Sequence, residues 1–184
     1  MEPDTDPYRR FLQGDETGLV QIIETYKDGL ILYLNGIVSD LAAAEDLAED
    51  TFLKLVLKKP RFSARSNFKT WLYAVGRNVA LDYLRHHKHT PIADDSASAI
   101  PAPGADLELR YIRQEKMRAV HAAIKTLKPE YRQVLWLIYF EDFSCAQAAK
   151  ILKKSTHNTE VLVSRARQAL KKQLVKEGFD YEDI

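Results

Sequence analysis

Two groups of residues in this chain have types and spacings suited to recognition chemistry. Asp46, Glu49, Asp50 and Leu53 fall at i, i+3, i+4 and i+7, so a helix gathers them on one face. Three carboxylates beside a leucine can pair with a partner's arginines and bury one apolar group. By spacing alone such an acidic stripe is more often a solvated helix face. Far along the chain, Glu160, Ser164, Arg167 and Lys171 share a second helical face, with His157 and Arg165 beside it. From position 150 to 176 there are eight basic residues and one acid, Glu160, an excess hidden in the formal net charge of +1. Short polar and basic groups at one end of a helix can meet base edges in a major groove, while lysines farther along meet phosphates. The acidic helix at 44–57 is followed at 62–88 by a segment that mixes aromatics with Arg, Lys and Asn, an order that suggests one surface for a protein and another for nucleic acid.

Helices are expected to position these groups. Sustained period-two alternation is missing, and Gly and Pro are sparse outside one stretch, so the expected fold class is all-α: two small helical domains joined by a flexible linker. The linker is read at 89–106, HTPIADDSASAIPAPGAD, which has little to bury. It divides an N-terminal domain at 1–88 from a C-terminal domain at 107–184. The first domain reads as about four helices. Residues 18–34 carry Leu19, Ile22, Ile23, Tyr26, Leu30 and Tyr33 at helical spacing, and Asn35-Gly36 and Ser39-Asp40 are expected to interrupt them. A helix over 42–57 follows, with Leu47, Thr51, Phe52 and Leu55 on the side away from the acidic stripe. Residues 58–67, KKPRFSARSN, read as a loop. The last helix, 68–85, has Phe68, Leu72, Val75 and Val79 as its buried stripe, and Phe68 and Trp71 are expected in the core.

In the second domain, Leu109, Ile112, Val120, Ile124 and Leu127 mark one helix, and Pro129 suits the first turn of the next, at 130–140. Ser144 with Gln147 three residues on is a capping-box pattern opening a short helix at 145–152. Residues 153–155 form a turn, and a long helix runs over 156–172 with Thr159, Val163, Ala166 and Leu170 facing inward. Two helices joined by a short turn, the second one basic, make a helix-turn-helix. The turn has no glycine; Lys153 stands where a positive φ is expected, at some cost in strain.

Composition narrows the function classes. At 184 residues the chain fits one or two small domains. Its single cysteine, Cys145, excludes an intramolecular disulfide and a cysteine-cluster zinc site, and a reducing cytoplasm is the simplest location. Cys145 reads as a small, half-buried residue at a helix start. The N-terminal MEPDTDPYRR is acidic and lacks the apolar core of a signal peptide, and no apolar run approaches a membrane span. No Gly-rich phosphate loop, paired-carboxylate pocket or nucleophile motif is present, so neither an enzyme nor a cofactor is expected. His86, His87 and His89 read as solvated basic residues rather than metal ligands.

Taken together, the blocks resemble the extracytoplasmic-function (ECF) sigma factors of bacterial RNA polymerase. AEDLAEDTFLKL and FKTWLYAVGRNVALDYLR resemble the family's region two. LKPEYRQVLWLIYFEDFSCAQAAKIL, followed by SRARQALKKQL, resembles its region four. The likeness covers roughly 18–89 and 117–174. It implies a protein without a catalytic site that joins core RNA polymerase, through the clamp helices and the flap, and directs it to promoter DNA.

The resemblance also implies residue roles. Asp46, Glu49, Asp50 and Leu53 become the polymerase-clamp contact. The loop at 62–67 and the following helix become the pocket for a flipped minus-ten base, with Ser63, Ala64, Arg65, Asn78 and Asp82 as its members. Extracting a base costs a few kcal/mol of stacking, which contacts to its edge and face must offset. Asn78 is the favoured member because its amide both donates and accepts. Lys69, Arg77, Arg85 and Lys88 would hold the backbone. In region four, His157, Glu160, Ser164, Arg165, Arg167 and Lys171 would face the minus-thirty-five element. Glu160 and Leu162 depart from the basic residues common in the family, which alters the expected promoter sequence but not the fold. A carboxylate can accept from a cytosine amino group, and Val161 and Leu162 could touch thymine methyls or pack inward. An anti-sigma factor is an expected further partner. The competing reading is a helix-turn-helix regulator that binds DNA without polymerase; it leaves the acidic stripe unexplained.

Overall fold

The computed structural model describes residues 5–62, 68–87, 115–176 and 178. The described residues form helices and short connections, with no strand among them. The helices are α1 (Thr5–Leu12), α2 (Glu16–Val38), α3 (Leu41–Lys58), α4 (Phe68–His87), α5 (Glu115–Lys125), α6 (Pro129–Tyr139), α7 (Cys145–Leu152) and α8 (Thr156–Lys176). The expected linker at 89–106, together with Leu109 and Ile112, lies outside the described residues.

Helix α2 is the hub of the N-terminal block. Residues Gly29 to Leu34 are buried all round, because α1, α3, α4 and, from the C-terminal block, α6 all pack against it. A helix apolar on every side is stable only inside such a sheath. Asp15 caps its start by accepting from the Thr17 amide at 3.0 Å. The expected interruption at Asn35-Gly36 does not occur. The helix runs to Val38 and ends where Ser39 turns left-handed, at φ 58°. Gly36 has open space around it, so the helix passes through without strain from packing. Only the second signal, Ser39-Asp40, marks the break. Asp40 then caps α3, accepting from the Ala43 amide at 3.1 Å.

Two glycines permit the close crossings. A Cβ on Gly18 would meet the Phe11 amide nitrogen at 2.8 Å, so α1 can lie on the start of α2 only with glycine there. A Cβ on Gly76 would come within 3.0 Å of Leu30 Cδ1, which sets how closely α4 approaches α2. Helix α1 is absent from the sequence-based expectations; its eight residues are too few for periodicity to stand out. Its Tyr8 ring nevertheless anchors an aromatic cluster, with centroids 5.0 Å from Phe68 and 5.2 Å from Phe62. Phe68 is buried as expected, but Trp71 and Val75 are only half-buried. Trp71 closes the outer edge of the cluster, edge-to-face with Phe62 at 5.9 Å.

In the C-terminal block the capping box forms: Ser144 Oγ accepts from the Gln147 amide at 3.2 Å, and Gln147 Oε1 accepts from the Ser144 amide at 2.8 Å. Lys153 adopts φ 55°, the left-handed residue foreseen in the turn. The Lys154 amide donates back to the Ala149 carbonyl at 3.0 Å, closing the end of α7. Thr159, Val163, Ala166 and Leu170 are buried, as their spacing requires, and α8 extends one turn past the expected end, to Lys176.

The two blocks meet. Helix α4 packs on α7, and α2 on α6, so each block covers part of the other's surface.

Candidate functional site

The acidic stripe on α3 faces solvent. Leu47, Thr51, Phe52 and Leu55 are buried against α2 and α4, which leaves Asp46, Glu49, Asp50 and Leu53 outward. Thr51 sits in the core without a penalty because its hydroxyl donates to the Leu47 carbonyl at 2.7 Å. Leu53 is 54% exposed and Leu57, one turn on, is 74% exposed. Beside them a groove of about 360 Å³ runs between α2 and α3, lined by Ile23, Lys27, Ala48, Glu49, Phe52, Leu53 and Val56. An apolar trough with one lysine and one glutamate at its rim suits a partner helix that brings apolar knobs and charged flanks. Sequence reasoning missed Leu57, although it continues the i+4 series from Leu53. It also missed Ile23 and Lys27, which reach the groove only because α2 packs beside α3.

The residues assigned to the minus-ten element separate. Ser63, Ala64, Arg65 and Lys88 lie outside the described residues. Asn78 and Asp82 are half-buried on α4, and Arg85 is exposed and ion-paired to Asp82 one turn earlier. The Nδ1 atoms of His86 and His87 sit 2.7 and 3.0 Å from the carbonyls of Asp82 and Tyr83, and the His87 ring stacks on Tyr83. His89 falls outside the described residues. Lys69 and Arg77 do not share the open side with Asn78. They turn toward the C-terminal block, where Lys69 Nζ pairs with Glu141 Oε2 at 3.2 Å and Arg77 Nε donates to Gln133 Oε1 at 3.1 Å. Residues 69 and 77 lie eight apart, two turns along one side of the helix, while 78, 82 and 85 lie along another.

The residues on either side of positions 63–67 pack together. Tyr8 Oη donates to the Pro60 carbonyl at 2.6 Å, and the rings of Phe62 and Phe68 meet edge-to-face at 5.7 Å. Burial pushes the Tyr8 phenol up to about 12. The Tyr33 phenol is also raised by burial, with the nearby Arg77 guanidinium partly opposing the rise.

On α8, His157, Glu160, Ser164, Arg165, Arg167 and Lys171 are all exposed. Glu160, Ser164, Arg167 and Lys171 line one groove of about 390 Å³ with Val163, Gln168 and Cys145. Burial of Thr159, Val163 and Ala166 against the rest of the block is what presents this row outward. Arg167 also lies 5.8 Å from the Tyr139 ring centroid, which limits its freedom. Leu162 is buried and so packs inward, whereas Val161 is half-buried. Cys145 is half-buried, and its place on the groove wall, like that of Gln168, was not foreseen.

One block thus presents an outward acidic, apolar-edged stripe and the other a basic helix-turn-helix, the layout of a two-part transcription factor. Family comparison makes this specific. Residues 22–90 match the sigma-70 region 2 model and residues 117–170 match the sigma-70 region 4 model. The ECF sigma factor SigC of Mycobacterium tuberculosis is 34% identical over 133 residues, covering 72% of this chain and 71% of that protein. The ECF sigma factor SigW of Bacillus subtilis is 26% identical over 171 residues, 88% of this chain and 91% of that one. The solved structure of CnrH with the cytosolic domain of CnrY shares the fold at a TM-score of 0.65 and 20% identity, covering 94% of this chain and 97% of that chain. The chain belongs to the ECF sigma factors, which act with RNA polymerase in promoter-specific initiation of transcription. Both blocks are matched, which a regulator acting without polymerase leaves unexplained. Among the described residues, no helix is long and apolar enough to cross a membrane.

Proposed function

We propose that the N-terminal block docks on core RNA polymerase through the α3 stripe and holds the minus-ten element, while α8 reads the minus-thirty-five element. In this reading the division is 1–88, a linker at 89–106, and 107–184. Asp46, Glu49 and Asp50 pair with basic side chains of the clamp helices, and Leu53 with Leu57 enters their apolar seam. Ser63, Ala64, Arg65, Asn78 and Asp82 form the base pocket, and Lys69, Arg77, Arg85 and Lys88 hold the DNA backbone. His157, Glu160, Ser164, Arg165, Arg167 and Lys171 face the upstream element, and the C-terminal block also meets the polymerase flap. The protein acts in the cytoplasm as a regulator without catalysis of its own. An anti-sigma factor is its proposed inhibitor, by analogy with CnrH, whose structure is a complex with CnrY.

The observation that carries this reading is the pairing, in one helical chain, of an outward acidic stripe ending in two exposed leucines with an outward basic recognition helix. Transcription in vitro with purified core polymerase tests it. Initiation from a promoter library is expected, and Asp46→Lys with Asp50→Lys should abolish polymerase binding. Initiation from no library member, together with intact polymerase binding by the double variant, refutes the reading. Arg165→Ala should weaken promoter binding while polymerase binding survives; equal loss of both would point to misfolding instead.

A further inference from the structure

On the exposed side of α8 one residue has the wrong sign for a phosphate. From position 150 to 176, Glu160 is the only acid beside eight basic residues. It is exposed, and its carboxylate has no hydrogen bond or ion pair among the described residues. The acid nearest the turn, Glu130, is by contrast taken up by Lys154 Nζ, 3.8 Å from its Oε1. Glu160 shares its groove with Ser164, one turn on, and with Arg167 and Lys171, two and three turns on. Arg167 is itself drawn to the Tyr139 ring, 5.8 Å away.

The backbone beneath Glu160 is fixed. Ser155 Oγ accepts from the Asn158 amide at 3.1 Å, and Thr159 Oγ1 donates to the Ser155 carbonyl at 3.0 Å. Thr159 is fully buried. The first turn of α8 is therefore anchored, and Glu160 leaves it in a set direction, toward the groove whose wall includes Cys145 of α7.

A carboxylate accepts hydrogen bonds and donates none. In a major groove only the amino groups of cytosine and adenine donate to it. Adenine sets an acceptor nitrogen beside its amino group, which repels the second carboxylate oxygen. Cytosine has no acceptor there. Guanine and thymine present acceptors alone, so facing them leaves the carboxylate desolvated and unpaired. A phosphate repels it outright.

We propose that Glu160 is a specificity-determining residue: it accepts from a cytosine amino group and so selects a cytosine–guanine pair at one position of the upstream element. This rests on the reading of α8 as the helix that enters the groove there. The surrounding cations supply affinity whatever the sequence, and Glu160 subtracts from it wherever cytosine is missing. Ser164 lies about 6 Å farther along the helix axis, while successive base pairs are about 3.4 Å apart, so the two side chains address different pairs. The influence of Glu160 is therefore confined to a single position.

The test uses the full chain assembled with core RNA polymerase. The parent holoenzyme first selects promoters from genomic DNA. Each position of the upstream element in one selected promoter is then changed to every other base pair, and affinities are measured by competition. The parent is expected to prefer cytosine at one position, about tenfold over the other bases. Glu160→Gln presents an amide, which pairs with the amino group and ring nitrogen of adenine. The preference at that position should then move from cytosine to adenine, with every other position unchanged. Glu160→Ala should flatten the preference there and raise affinity for promoters that lack the cytosine. Both substitutions fall at an exposed site, so the fold is kept.

A uniform gain in affinity in both variants, with the base preferences unchanged, overturns the proposal; Glu160 is then only a charge that repels the backbone. A parent that discriminates upstream but prefers cytosine at no position overturns it as well, and leaves the reading of α8 standing. A parent indifferent to every upstream change overturns that reading, and the proposal with it.

Discussion

Replacing Leu53 and Leu57 together by alanine separates docking from folding on a single helix. Fully burying a leucine is worth about 1.5–3 kcal/mol. With 54% of Leu53 and 74% of Leu57 still in water, a partner that covers both gains about 1–1.5 kcal/mol from the first and about 1–2 kcal/mol from the second. Alanine keeps part of that area, so the double variant should lose about 2 kcal/mol of binding, about thirtyfold in Kd for core polymerase. Surface substitutions away from special features usually change stability by less than about 0.5 kcal/mol, so the thermal midpoint should hardly move. Leu55→Ala is the contrast. Leu55 is fully buried on the same helix, and its truncation should cost about 2–5 kcal/mol of stability. A fluorescence titration of labelled protein with core polymerase, beside a thermal melt, reads both quantities. Full affinity in the double variant would refute the assignment of this stripe to the polymerase. A fall in affinity matched by a fall in melting temperature would refute the claim that the two leucines are free of the fold.

Two further outcomes follow from local geometry. Lys153 holds φ 55° in the helix-turn-helix turn, so Lys153→Gly should raise stability by about 0.5–1 kcal/mol in denaturant unfolding, the relief of left-handed strain exceeding the added freedom of the unfolded chain. The Tyr8 phenol is raised from 10.0 to about 12 by burial; its neutral form is favoured in the fold, so the stability it contributes is complete below pH 10 and lost as pH rises toward 12. An ultraviolet titration should show one tyrosine ionising near pH 12 that Tyr8→Phe removes, whereas a titration in Tyr8→Phe identical to that of the parent would contradict the burial.

Much of the fold was legible because the signals were local. The inward row Thr159, Val163, Ala166 and Leu170 needs only a period of 3.6 to be read, and each of its members is buried. The capping box at Ser144 and Gln147 and the left-handed Lys153 follow from residue types three or four positions apart. The Asn35-Gly36 break failed for the complementary reason. Local turn preference is worth about 1 kcal/mol, and the packing of α2 within a sheath of helices outweighs it. Helix α1 went unread because it is held by contacts with Phe62, Phe68 and the start of α2, none of which lies in its own window.

The same division holds for the two outward rows. The sequence by itself determined which side chains share a helix face: Asp46, Glu49, Asp50 and Leu53 on α3, and Glu160, Ser164, Arg167 and Lys171 on α8. Both rows are outward in the structure, because their opposite faces carry the apolar residues that must be buried. Only the tertiary structure decided what each face meets. It placed Ile23 and Lys27 beside Leu53, and Cys145 beside Ser164. It turned Lys69 and Arg77 away from Asn78, onto Glu141 and Gln133. Spacing along one helix fixes the direction of a side chain, but its partner 56 or 72 residues away is chosen by how the helices pack.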